Sequence, residues 1–252
     1  MEAYTGFATV YDMYMDNVPY DTWTENIKTL FEKYNMPMEI VCDLGCGTGQ
    51  ITRRLKAAGY DMIGIDNSYD MLMEAQTHED SQGILYLCQD MREFELYGTV
   101  GAVVSLCDSI NYLCDYDELL TVCKLANNYL DPKGLFIFDV KTEHFYETLG
   151  CSTIAENRET GSFIWENDYD VETRDNSYFL TIYDENEEGT FDRYEEEHLQ
   201  HAFTVDEIKK AISESGLELL EVLDVASMSP VNAPEDFKNS DRLYFIAREV
   251  TK

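Results

Sequence analysis

The sequence predicts an α/β fold: a seven-stranded, doubly wound, Rossmann-like sheet with N-terminal helices and a small antiparallel β insertion. Three observations carry this prediction. Apolar runs of strand length alternate with helical segments over residues 38–149, the pattern of a parallel sheet covered on both faces. One of these runs ends in a glycine-rich turn, Asp43-Leu44-Gly45-Cys46-Gly47-Thr48-Gly49. Residues 150–200 then change to short alternating runs separated by turn residues, the pattern of an antiparallel meander.

Residues 1–37 read as two helices. Tyr4, Phe7, Val10, Tyr11 and Tyr14 recur near helical spacing. Trp23, Ile27, Leu30, Phe31 and Tyr34 give a second apolar face, begun at Asp21-Thr22-x-x-Glu25 and ended by Asn35-Met36-Pro37. The first strand, from Ile40, runs into the glycine turn. Glycines at 45, 47 and 49 permit positive φ and close approach of a ligand to the backbone. A helix from about Gly49 to Ala58 points its free N–H groups and positive dipole end at that turn. Such a turn suits a nucleotide-like ligand at the carboxyl end of the first strand. It lacks the Lys of a phosphate-gripping loop, and its Gly-x-Gly-x-Gly spacing is not the dinucleotide Gly-x-Gly-x-x-Gly. Asp43, just before the turn, repels a pyrophosphate and suits a ligand that carries an ammonium or a sulfonium.

The later strands end in polar residues. Met62-Ile63-Gly64-Ile65 closes on Asp66, and Asn67-Ser68 begins a helix with Met71, Leu72 and Ala75 on its apolar face. Gly83 to Cys88 runs into Gln89-Asp90-Met91. Ala102 to Cys107 runs into Asp108-Ser109-Ile110-Asn111-Tyr112-Leu113. Asp131-Pro132-Lys133-Gly134 turns into the fifth strand, Leu135 to Phe138.

Within 150–200, three runs read as strands: Phe163–Glu172, Tyr178–Tyr183 and Thr190–Leu199. Asp175-Asn176 and Glu187-Glu188-Gly189 are the expected turns. One face is aromatic and the other acidic, which suits a solvated flap over the sheet edge, a substrate lid or a dimer surface. Thr204 and Glu207 form a capping-box pattern at the start of the next helix, which Gly216 ends. Leu217–Val225 and Leu243–Val250 read as the sixth and seventh strands.

The series of motifs, Asp43-x-Gly45-x-Gly47-x-Gly49, then Asp66, then Asp90-Met91, then the segment after the fourth strand, resembles class I S-adenosylmethionine-dependent methyltransferases. One departure is Leu135, which stands where the family has a second glycine after Gly134. The resemblance spans essentially the whole chain. It implies S-adenosyl-L-methionine as cofactor, with Asp66 on the ribose hydroxyls and Asp90 and Met91 beside the adenine. Asn67 and Met71 flank the same ligand, and Cys107 and Asp108 lie near its methyl end. Tyr11 and Tyr20 resemble tyrosines that cover the methionine end of the cofactor in small-molecule methyltransferases with a β insertion. The layout resembles bacterial small-molecule N-methyltransferases, including amino-sugar dimethyltransferases. It divides the chain into a cofactor-binding domain, 1–149 and 201–252, and an insertion, 150–200.

Composition bounds the partners. The chain has 252 residues and a formal net charge of −32, from 50 acidic against 18 basic residues. With no Lys/Arg cluster, it lacks the positive footprint a nucleic acid requires. The acidic excess either keeps a cytosolic protein soluble or attracts a cationic or amine-bearing substrate. Residues 150–200 alone hold fifteen Asp/Glu against three Arg. No apolar run is long enough to span a membrane, and no secretory signal opens the chain. Seven cysteines, without metal-ligand spacing, suit a reducing cytoplasm; Cys42, Cys46, Cys88, Cys107 and Cys123 are expected as buried small hydrophobes. No metal is expected.

The acceptor is less marked. Tyr112 follows the fourth strand in a segment that is not the Asn/Asp-Pro-Pro-Tyr motif. His198 and His201 are candidate bases that titrate near pH 7. The expected function is methyl transfer to a small, amine-bearing acceptor. The alternatives are a tRNA or protein methyltransferase, or a cofactor-binding regulatory protein without catalysis. A homodimer through the insertion is a further expectation.

Overall fold

A computed structural model describes residues 11–12, 17–37, 39–158, 161–186, 188–232 and 237–252. Tyr4, Phe7, Val10 and Tyr14 of the first predicted helix lie outside the described residues. Helix α1, Tyr20–Lys33, starts one residue ahead of the expected Asp21 and carries no side-chain cap. It ends as predicted, with Asn35 in the left-handed region at φ 55°.

The main sheet has seven strands in the order β10-β11-β5-β4-β1-β2-β3. These are β1 (Ile40–Leu44), β2 (Asp61–Asp66), β3 (Leu85–Cys88), β4 (Val100–Ser105), β5 (Leu130–Lys141), β10 (Leu217–Asp224) and β11 (Arg242–Glu249). The first five are parallel; β11 runs antiparallel to β5, and β10 antiparallel to β11. Period-two alternation fills both faces. On β5, Leu135 and Ile137 join α1 residues Ile27, Leu30 and Phe31 and helix α2 (Gln50–Ala57) on one side. Phe136, Phe138 and Val140 join α4 (Tyr116–Tyr129) and α6 (Val205–Glu214) on the other. Helix α3 (Tyr69–Thr77) links β2 to β3, and α5 (Glu143–Leu149) follows β5. The chain steps outward from β1 to β3 and then crosses to β4 on the other side of β1. That reversal leaves a crevice at the carboxyl ends of β1 and β4.

The insertion is a separate four-stranded antiparallel sheet, β6-β7-β8-β9, of Ser152–Asn157, Gly161–Asp170, Asp175–Glu185 and Phe191–His201. It has one strand more than the three predicted runs. Strand β6 was hidden because its residues are mostly polar and exposed, so no alternation marks it. The expected turn at Asp175-Asn176 is also corrected. Both residues belong to β8, and the chain turns at 171–174, with Arg174 at φ 63°. Val171 therefore projects from the turn and is exposed. The buried face carries Tyr169, Tyr178, Leu180 and Ile182, with Asn167, Glu196, His198 and Gln200 among them. Among the described residues no helix is long and apolar enough to cross a membrane. Cys42, Cys46 and Cys123 are buried as expected; Cys88 is exposed and Cys107 half-buried.

Candidate active site

The glycine turn is stitched to the end of β2. The N–H groups of Gly45 and Cys46 both donate to the Ile65 carbonyl, at 2.8 and 2.9 Å. Gly47 N–H donates to Asp66 Oδ2 at 2.8 Å, and Ser68 N–H to Asp66 Oδ1 at 2.8 Å. Burial pushes the Asp66 carboxyl up, and the backbone donors Ser68, Gly47 and Asn67 oppose that shift. Gly45 and Gly47 adopt φ 79° and 52°, a region L side chains rarely enter. A Cβ on Gly45 would meet Ser109 Oγ at 2.6 Å, whereas a Cβ on Gly47 would meet nothing within 4 Å. Gly45 is therefore demanded by packing, and Gly47 leaves room beside the backbone.

That room belongs to a cavity of about 670 Å³ at the crevice, within the usual range of small-molecule sites. Twelve of the sixteen predicted site residues line it. Gly45, Gly47, Asp43 and Asp66 form the turn side; Asn67, Met71, Asp90 and Met91 another wall; Tyr11, Tyr20, Cys107 and Tyr112 a third group. Asp43 is nearly enclosed at 2% exposure and accepts Thr52 Oγ1 at 2.5 Å. Burial pushes its carboxyl up to about 7, against the Thr52 hydrogen bond. Asp90 is held by Arg92, through Nε at 2.9 Å and Nη2 at 2.5 Å, which keeps its carboxyl below the usual range. Tyr20 hydrogen-bonds Tyr11. Burial raises the Tyr11 and Tyr20 hydroxyls and the Cys107 thiol well above their ordinary values.

Four predicted residues do not line the cavity. Gly49 sits at the start of α2 and is required by packing, since a Cβ there would meet Tyr86 Oη at 2.5 Å. Asp108 is taken up by other partners. Its carboxylate accepts Arg242 Nη2 at 2.7 Å and Gln200 Nε2 at 2.7 Å, and Lys141 Nζ lies 3.0 Å away. Arg242 also pairs with Asp139, completing a balanced quartet of two carboxylates and two cations. Together Lys141, Arg242 and Gln200 outweigh burial and hold the Asp108 carboxyl down at about 2. His198 is buried on β9 with Nδ1 3.2 Å from Tyr112 Oη. Burial and the Lys141 charge push its pKa down to about 4, so it is not a base that titrates near pH 7. His201 Nδ1 lies 2.7 Å from Asp175 Oδ1, and its ring packs edge-on against Phe203.

The sequence reading missed Ser109, which grips the glycine turn by donating to Gly45 O at 3.2 Å and Leu106 O at 2.9 Å. It also missed Asn111, whose side chain bonds Lys141 N, Lys141 O and His201 O. Asn111 immediately precedes Tyr112, so this staple fixes the turn that presents Tyr112. Cys107 and Asp108, at φ 61° and 56°, are two consecutive left-handed residues in that turn. Such conformations persist when the surroundings over-determine them, and the quartet around Asp108 does so. Among the described residues no group of three or more His, Cys, Asp or Glu could hold a metal.

A sheet that reverses beside a glycine turn, with an acidic residue ending the second strand, is the arrangement of a protein that binds a nucleoside-bearing cofactor. Residues 41–134 match the family described as methyltransferase domain. The chain is 34% identical over 249 residues to Putative methyltransferase YqeM of Bacillus subtilis (strain 168), covering 98% of this chain and 97% of that one. Its structure superposes on a crystal structure of an S-adenosylmethionine-dependent methyltransferase from Clostridium acetobutylicum with a TM-score of 0.86 at 26% identity, covering 98% and 99% of the two chains. It also superposes on S-adenosylmethionine-bound CalS10, an amino pentose methyltransferase from Micromonospora echinaspora. There the TM-score is 0.74 at 17% identity, with 99% of each chain covered. The chain belongs to the class I S-adenosylmethionine-dependent methyltransferases. It is an enzyme of that class, and S-adenosylmethionine is its cofactor.

Proposed function

We propose that the protein transfers a methyl group to a small acceptor that bears an amine. The observation that carries this reading is the tyrosine cluster of the cavity. Tyr11, Tyr20 and Tyr112 line it together with Cys107. Burial keeps the Tyr11, Tyr20 and Cys107 side chains protonated and neutral. No residue of this group is a strong base at neutral pH. An oxygen nucleophile usually needs one, whereas an amine that binds in its neutral form carries its own lone pair.

In this reading Asp66 holds the ribose hydroxyls of the cofactor. Met71 and the Asp90-Met91 pair border its adenine, and Tyr11 and Tyr20 cover its methionine end. Gly47 allows backbone contact. S-adenosylmethionine supplies an electrophilic methyl on a sulfonium, whose C–S bonding pair leaves with the sulfur. The chain's own residues align the acceptor nitrogen and exclude water. The tyrosine rings suit the ammonium that results, through their negative faces, and the net charge of −32 favours that cationic product. His198, with a pKa near 4, is too weak a base to deprotonate an ammonium. Its role is to orient the Tyr112 hydroxyl.

Residues 150–200 are an insertion between the two parts of the methyltransferase domain, 1–149 and 201–252. Gln200 and His198 join it to the turn after β4. The name of the amino pentose methyltransferase CalS10 points to the same class of acceptor, at a likeness that shows the fold alone. S-adenosylhomocysteine release, screened against panels of small amines, small alcohols and tRNA, tests the reading. Turnover confined to amines supports it; turnover with alcohols or tRNA and none with amines refutes it.

A further inference from the structure

Asp12 is bound to the glycine turn by two contacts. Thr48 Oγ1 donates to its Oδ1 at 2.7 Å, and Gln50 Nε2 donates to its Oδ2 at 2.5 Å. Gln50 is the first residue of α2, whose flanking Gly49 has no side chain to cap it and whose first turn holds no acidic residue. Asp12 thus brings, from 38 residues away, the carboxylate that this helix start lacks. The helix dipole favours negative charge there.

The contacts continue from Gln50. Its Oε1 accepts Arg54 Nη1 at 2.5 Å. Arg54 lies over the Tyr20 ring, 5.4 Å from its centroid, and pairs with Asp21 at 2.6 Å. Tyr20 hydrogen-bonds Tyr11, the chain neighbour of Asp12. Asp12, Gln50, Arg54, Tyr20 and Tyr11 therefore form a closed ring of contacts. Tyr11, Tyr20, Thr48 and Gln50 also line the cofactor cavity.

We infer that Asp12 is a positioning residue that retains the cofactor: it clasps the Tyr11-Asp12 pair to the glycine turn, keeps Tyr11 over the cavity and slows release of bound nucleoside. Asp12 acts through Thr48, Gln50 and Tyr11 rather than by touching the cofactor. The inference depends on the cofactor and not on the identity of the acceptor. The Asp12 side chain keeps 28% of its exposure, so removing it leaves no buried charge, and the fold tolerates the change.

The test uses the full chain and S-adenosylhomocysteine as probe, with stopped-flow fluorescence for association and dissociation rates. In Asp12→Ala the dissociation rate rises about tenfold, equivalent to about 1.4 kcal/mol, while association changes less than about threefold. Asp12→Asn keeps the shape and loses the charge, and gives an intermediate rate. Asp12→Ala combined with Gln50→Ala is no faster than the faster single variant, because both open the same ring. In cofactor-free protein, hydrogen exchange at the Tyr11 and Asp12 amides accelerates in Asp12→Ala, with β1 and β2 unchanged. An unchanged dissociation rate, fully additive variants, or unaltered exchange at Tyr11 overturns the inference.

Discussion

Gly45 and Gly47 lie two residues apart in one turn, and the structure assigns them opposite liabilities. Replacing either with Ala places an L residue in the left-handed region, at a cost of about 1–2 kcal/mol. At Gly47 that is the whole structural cost, since the added Cβ meets nothing within 4 Å. A domain of this size loses about 2–4 °C of Tm per kcal/mol, so Gly47→Ala should melt about 2–8 °C lower. Its methyl, however, enters the cavity, on the side where the proposed site brings the cofactor to the backbone. Overpacking of that kind costs about 1–3 kcal/mol, which is about 5- to 150-fold in Kd. At Gly45 the added Cβ falls 2.6 Å from Ser109 Oγ and 2.7 Å from Ser109 Cβ. The turn or Ser109 must then move, adding about 1–3 kcal/mol to the strain and lowering Tm by about 4–20 °C. Differential scanning fluorimetry and calorimetric titration with S-adenosylmethionine separate the two variants. If Gly47→Ala binds cofactor like the parent, or melts as low as Gly45→Ala, the assignment of that open space to the cofactor is wrong.

Two further predictions concern groups behind the cavity. His198 resists protonation down to about pH 4 in the folded chain, against about 6.5 when unfolded. The unfolded chain therefore takes up a proton between these values that the folded chain refuses. The His198 contribution is complete above about pH 6.5 and is lost as pH falls toward 4, by about 3 kcal/mol in the limit. The stability difference between parent and His198→Gln, read from urea unfolding at pH 7.5 and 4.5, should shift toward the variant by about 2–3 kcal/mol at the lower pH; a pH-independent difference refutes this. Arg242→Met leaves the buried Asp139 without its cation and Asp108 with Lys141 alone, and should cost about 3–5 kcal/mol of stability. A loss below about 1 kcal/mol in the same unfolding assay would show that the quartet does not support the turn after β4.

What the sequence made legible is what a short segment encodes by itself. The glycine turn, Asp66 and the Asp90-Met91 pair each end a strand, and the sheet order brings those ends together without further information. Tyr11 and Tyr20 were legible by likeness, yet the neighbouring Asp12 was not, because a single Asp in a helical stretch carries no signature of its partners at 48 and 50. The partners of Asp108 were hidden for a related reason. Its position after β4 is local, but its partner Arg242 comes from β11, 134 residues later. His198 was misread because exposure decides its chemistry. The register that pairs it with Tyr178 on β8 turns it to the buried face, and there burial pushes its pKa far from neutrality. Strand β6 was missed because a polar, exposed edge strand has no hydrophobic period to detect.

In the proposed site one cavity holds S-adenosylmethionine through one carboxylate, Asp66. Calorimetric titration of the full chain and of Asp66→Ala with S-adenosylmethionine tests it most directly. In the proposed site the Asp66 carboxylate accepts two ribose hydroxyls, and bonds to a charged acceptor contribute about 1.5–3 kcal/mol each. The parent should bind at micromolar concentration, and Asp66→Ala should lose affinity by at least about 100-fold, as two such bonds imply. No binding by the parent at millimolar cofactor, or equal binding by the variant, would contradict the account.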